Sequence, residues 1–89
     1  MPAISMFYGI IVYMYFMDIK QYKLPHIHVF YQEHEVIVSI VDGTVLEGDI
    51  PPNKMKLLQA WIELHKDELL ADWELAAKGE QPYKIDPLK

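Results

Sequence analysis

At Pro51-Pro52 the spacing of apolar residues changes from a period of two to a period of about 3.6, and this change of rhythm divides the chain into a sheet half and a helical half. Upstream, Val36, Val38 and Ile40 alternate against Ile37, Ser39 and Val41, so 35–41 reads as a strand with two distinct faces. Asp42-Gly43 then carries the dipeptide of a type I′ turn, whose central residues both need positive φ, and predicts a tight hairpin into a strand over 44–50. His26 to Tyr31 reads as the preceding strand, with Gln32-Glu33-His34 as the turn between, and Pro25 biases Leu24 toward extended geometry. The apolar stretch from Ala3 to Met17 is rich in β-branched and aromatic residues (Ile10, Ile11, Val12, Tyr13, Tyr15, Phe16). It predicts one or two further strands buried on both faces, with Gly9 as a break or bulge. Asp18 to Leu24 is polar enough to be the connection.

Downstream, proline ends the strand and is tolerated in the first turn of a helix, where an N–H lacks an intrahelical partner anyway. Leu58, Ile62, His65, Leu69 and Trp73 fall on one stripe, flanked by Met55 and Trp61, with Lys56, Gln59, Glu63, Lys66 and Asp67 opposite. Asp72 reads as the cap of a second short helix over 73–78, which Lys78-Gly79 ends. The last stretch, 80–89, holds two prolines and reads as an extended tail that lies on the domain or frays. The expectation is one α+β domain over 1–89: an antiparallel sheet of four to five strands with the C-terminal helices packed on one face. With 89 residues the core is small, and partners can matter to stability.

Charge and composition exclude several kinds of function. No cysteine is present, which rules out a disulfide framework, a thiolate zinc site and a cysteine nucleophile, and makes the cytoplasm the expected location. The stretch over 3–17 is shorter than the roughly 20 residues that cross a bilayer. It also has no basic segment before it, since the first lysine is Lys20, so neither a membrane anchor nor a signal peptide is expected. Eight lysines face thirteen acids for a net charge of −5, and arginine is absent, which disfavours extensive contact with a phosphate backbone. Lys20, Lys23, Lys54 and Lys56 could form a local basic patch or an ordinary solvated surface. The glycines stand singly, so no phosphate-cradling loop is present.

Reactive side chains concentrate at Pro25-His26-Ile27-His28. Residues two apart on a strand share a face, so both imidazoles project together while Ile27, Val29 and Tyr31 point the other way. Three readings stay open. As a metal site, His26 and His28 would supply two nitrogens and Asp18 a carboxylate, a set that suits zinc or another divalent ion with open positions. As an acid–base site, the two rings would act as base and acid at an RNA 2′-hydroxyl, with Lys20 or Lys23 stabilising the phosphorane charge. As a structural pair, the rings would bond neighbouring strands or a partner, and no cofactor would be needed. His65 reads as a packed histidine in the helical stripe, His34 as a turn residue, and Trp61 and Trp73 as core. Asp67, Glu68, Asp72 and Glu74 read as a solvated face.

Several segments taken in order carry a family likeness. Met14-Tyr15-Phe16, Asp18, Leu24-Pro25-His26-Ile27-His28-Val29, Asp42-Gly43 with Leu46-Glu47-Gly48, Pro51-Pro52, Trp61-Ile62-Glu63-Leu64-His65 and Trp73-Glu74-Leu75 resemble the small bacterial domain-of-unknown-function family DUF4160 from end to end. The resemblance implies a component of a type II toxin–antitoxin module, proposed as the toxin half, encoded beside a cognate small protein of the DUF2442 kind. It singles out Asp18, His26 and His28 as the polar centre, with Tyr15, Pro25 and Glu47 nearby. Tyr13 stands where the family often has an arginine and Ile19 where it often has a histidine, which weighs against strong nuclease chemistry.

Overall fold

A computed structural model describes residues 3–15 and 22–89. Phe16, Asp18, Ile19 and Lys20 lie outside the described residues, and so do the roles expected of them. The described chain forms β1 (Ser5–Phe7), β2 (Ile10–Tyr13), β3 (His26–Tyr31), β4 (His34–Ser39), β5 (Val45–Gly48), α1 (Pro52–Leu64) and α2 (Lys66–Ala77). The five strands make one sheet in chain order, every neighbouring pair antiparallel. The α+β architecture is therefore a meander followed by two helices.

Period-two alternation places the core. Ile10, Val12, Met14, Ile27, Val29, Val36, Val38 and Ile40 are buried on one face, where Leu58, Trp61 and Ile62 of α1 and Leu69 and Ala76 of α2 join them in a single cluster. On β2 the alternate residues Ile11 and Tyr13, with Tyr15 beyond its end, are only half-buried. The expectation of an N-terminal strand buried on both faces is thus corrected to one core face.

The turns differ from the sequence expectation in instructive ways. Gly9 is the break between two strands rather than a bulge: Tyr8 and Gly9 have φ of 50° and 81° and form the two-residue turn joining β1 to β2, the conformation expected at Asp42-Gly43. At Asp42-Gly43 only the glycine has positive φ, and the connection widens to residues 40–44. There Asp42 accepts hydrogen bonds from the Thr44 N–H (3.1 Å) and hydroxyl (2.8 Å), an arrangement that competes with a tight hairpin. β5 consequently ends at Gly48, short of the expected residue 50, with a register irregularity opposite Ile37 and Val38. His34 is not a turn residue but opens β4 opposite Tyr31, the turn being Gln32-Glu33 with φ of 54° at Gln32.

The helical half breaks at His65 rather than at Asp72. His65 has φ −116° and ψ 22°, although its N–H still bonds the Trp61 carbonyl (3.0 Å) and its carbonyl accepts from Leu69 (2.9 Å). Asp72 is no cap. It lies inside α2, buried, and its Oδ1 accepts the Tyr83 N–H at 3.0 Å. The final segment lies on the domain as a strap: Ile85 N–H bonds the Ile4 carbonyl (2.8 Å), Trp61 Nε1–H bonds the Asp86 carbonyl (2.8 Å), and Ile85 is buried.

Candidate functional site

Antiparallel register carries a row of side chains across four strands on the face that turns away from the core: Tyr13 on β2, His28 on β3, Ile37 on β4 and Glu47 on β5. His26 lies two residues before His28 on the same face, and the two imidazoles sit edge to face with ring centroids 5.3 Å apart. Tyr15 packs on His28 at 4.4 Å, Tyr22 meets His26 edge-on at 5.6 Å, and Trp73 of α2 reaches His26 at 5.0 Å. The site is a chain of aromatic rings holding two histidines.

The two imidazoles differ in access and chemistry. His26 is 1% exposed, and its Nδ1 lies 2.9 Å from the Leu24 carbonyl. A carbonyl can only accept, so Nδ1 carries the hydrogen and Nε2 is the basic nitrogen of the neutral ring. His28 keeps 13% side-chain exposure, and its Nδ1 stands 3.7 Å from Glu35 Oε2. At the open side Tyr22 donates its hydroxyl to Glu47 Oε1 at 2.8 Å, and this bond to a carboxylate holds the phenol above its usual pKa.

Of the residues expected at the site, the structure brings together His26, His28 and Tyr15, with Glu47 beside them, while Asp18 and Lys20 lie outside the described residues. Lys23 is exposed just before β3. The basic patch does not assemble among the described lysines. Lys54 donates to the Tyr8 carbonyl (3.2 Å) and lies over the Tyr31 ring (5.2 Å), at the opposite end of β3. At about 3.3 Å per residue, roughly 17 Å separate the two ends. His65 packs against Trp61 with its Nδ1 2.6 Å from Glu68 Oε1, away from the sheet site.

Tyr22, Glu35 and Trp73 complete the surroundings and were not anticipated. Glu35 had a signal, since it lies two residues from Ile37, the cross-strand neighbour of His28, which puts it diagonally opposite on the same face. Trp73 had none, because its helical stripe says only that it faces inward. No group of three His, Asp or Glu side chains among the described residues is placed to hold a metal ion, and Asp18, the third ligand expected beside His26 and His28, lies outside those residues. No described helix is long and apolar enough to cross a membrane.

Comparison with known proteins places this geometry in a family without supplying a reaction. No curated protein and no solved structure matches the chain. The family described as Domain of unknown function (DUF4160) matches residues 9–74, which takes in β2 to β5, the histidine pair and all of α1. With more than half of its length matched in this way, the chain belongs to the DUF4160 family.

Proposed function

We propose that this chain is a component of a bacterial type II toxin–antitoxin module, working in the cytoplasm by binding a cognate small protein of the DUF2442 kind, with the histidine pair shaping the binding face rather than breaking bonds. The family likeness supplies the module. What carries the non-catalytic reading is the burial of His26: it is 1% exposed, packed among Tyr22, His28 and Trp73, with one nitrogen given to a main-chain carbonyl. A general base must reach the proton it removes, and phosphate would also meet the carboxylates of Glu35 and Glu47 beside the rings. The test is co-expression with the product of the adjacent gene. A co-eluting complex is expected in size-exclusion chromatography, and a monomer indifferent to that neighbour overturns the reading.

A second reading, the ribonuclease-like toxin, is favoured by the 5.3 Å approach of the two rings. In it His28 and the basic Nε2 of His26 would share acid–base work at an RNA 2′-hydroxyl, with Asp18, Lys20, Lys23 and Tyr15 placing the substrate. Total RNA incubated with wild type, His26→Ala and His28→Ala separates the two, since identical patterns leave catalysis unsupported. A divalent ion such as zinc on His26, His28 and Asp18 is tested by metal analysis of untagged protein, where less than about a tenth of an equivalent argues against it.

A further inference from the structure

β1 and β5 are the two edges of the sheet among the described residues, and they are protected unequally. Sheets discourage pairing at an edge with charges, bulges and short strands. Glu47 puts a charge on β5, a register irregularity interrupts its ladder with β4, and Gly48 holds a φ of 79°. β1 is short but has neither charge nor bulge: the stretch from Ala3 to Tyr15 contains no charged residue, and Met6 is 61% exposed.

Register determines what β1 offers. Phe7 and Ile10 close the two-residue turn Tyr8-Gly9 and exchange their main-chain bonds. Bonded and non-bonded pairs alternate, so Met6 and Ile11 form a non-bonded pair, and the N–H and carbonyl of Met6 point out of the edge. The strap covers only the neighbouring position, where the Ile85 N–H bonds the Ile4 carbonyl at 2.8 Å. It cannot go on to the Met6 carbonyl in either direction. Running parallel to β1 it would need an N–H at Pro87, which has none, and running antiparallel it would need the Tyr83 N–H, which Asp72 takes at 3.0 Å. Beside Met6 an open cleft of about 440 Å³ lies between β1 and the strap, lined by Ile4, Ser5 and Met6 on one side and Ile85, Asp86 and Pro87 on the other.

We propose that β1 pairs antiparallel with β1 of a second copy about a two-fold axis at Met6, joining two five-stranded sheets into one. On that axis each Met6 donates its N–H to the carbonyl of the other, so a single outward-facing residue satisfies both its groups with its own copy. Two residues to either side, Tyr8 of one copy comes opposite Ile4 of the other, which brings its ring, 54% exposed, to the cleft. Charge selects the occupant. β1 and β2 give a charged partner nothing to pair with, and the strap beside them adds one cation and one anion, Lys84 and Asp86. Two copies therefore meet here without like charges at the seam, although each carries −5 overall. This pairing is independent of the binding reading above.

Sedimentation velocity over about 5–500 µM tests this with wild type, Met6→Lys, Met6→Pro and, as an exposed control on α1, Leu64→Lys. Wild type is expected to approach twice the chain mass of 10.4 kDa at the top of that range, with hydrogen exchange at the Met6 amide slowed at least about fivefold relative to the bottom. Met6→Pro removes the outward N–H at an edge position where no β1–β2 bond is lost, and Met6→Lys sets two like charges at the axis. Each should raise the dimer dissociation constant at least about tenfold, at an unchanged thermal midpoint in dilute solution, and Leu64→Lys should dimerise as wild type does. If Met6→Pro does not fold, Met6→Lys carries the test. Wild type that stays monomeric throughout overturns the pairing, and so does a dimer that the folded Met6 variants leave intact or that Leu64→Lys breaks. A Met6 amide protected only after the product of the adjacent gene is added overturns the choice of occupant.

Discussion

Asp72 and Gly48 show how much depends on single positions. Asp72 is 3% exposed inside α2, its Oδ1 taken up by the Tyr83 N–H and its Oδ2 without a hydrogen-bond partner. Burial raises its pKa, Glu68 one turn earlier adds to the rise, and the Tyr83 N–H only partly offsets it. A carboxyl whose folded pKa lies above its unfolded value favours the fold most when protonated. That contribution is complete below about pH 4, the ordinary carboxylate value, and is lost as pH climbs through the raised one. Asp72→Asn keeps an oxygen for Tyr83 and removes the charge, so its thermal midpoint should exceed that of wild type at neutral pH and converge with it on acidification. Asp72→Ala leaves the Tyr83 N–H without its acceptor and should cost about 1–3 kcal/mol in urea unfolding. Gly48 has φ of 79°, and a Cβ there would collide with the Glu35 carbonyl oxygen across the β4–β5 pair. Gly48→Ala should therefore destabilise by about 1–3 kcal/mol, read from the same urea curves.

Among the elements, the strap over 80–89 contributes more than its composition suggests. Two prolines and few apolar residues read as a tail, yet Ile85 enters the core and the main chain of the strap is tied to Ile4, Trp61 and Asp72. Trp61→Phe removes the indole donor to the Asp86 carbonyl and some buried volume. It should cost about 2–3 kcal/mol and speed hydrogen exchange at the Ile85 amide, which reports strap opening directly. Strands and helices were legible because burial imposes their periods on the sequence: Val36, Val38 and Ile40 could belong only to a two-faced strand, and Leu58 and Ile62 only to a helix face. Turns and breaks were not, because a few local bonds decide them. Asp42-Gly43 carries the residues of a tight turn, but Thr44 draws the Asp42 carboxylate into a wider loop. Nothing in the composition near His65 marks a break, and Asp72, a residue type that favours caps, is instead buried by a strap far along the chain.

At the scale of the whole molecule, sheet and helices meet at His26, and this is where the candidate site was half legible. The shared face of His26 and His28 follows from the period of a strand, whereas their surroundings come from long-range packing, with Trp73 arriving from α2 and Glu47 from β5. That difference predicts opposite roles for adjacent members of one motif. His26→Ala empties a space among three rings and frees the Leu24 carbonyl, so it should cost about 2–4 kcal/mol. His28 lies nearer the surface, with Glu35 beside it, so His28→Ala should cost less than about 1.5 kcal/mol. If the pair shapes a binding face, His28→Ala should still weaken capture of the cognate protein by several-fold, because its ring supports Tyr15 at that surface. Urea unfolding and titration calorimetry on the two variants measure these effects separately. Equal stability losses would show that the burial of His26 does not govern the pair, and unchanged binding by a folded His28→Ala would remove the histidines from the interface.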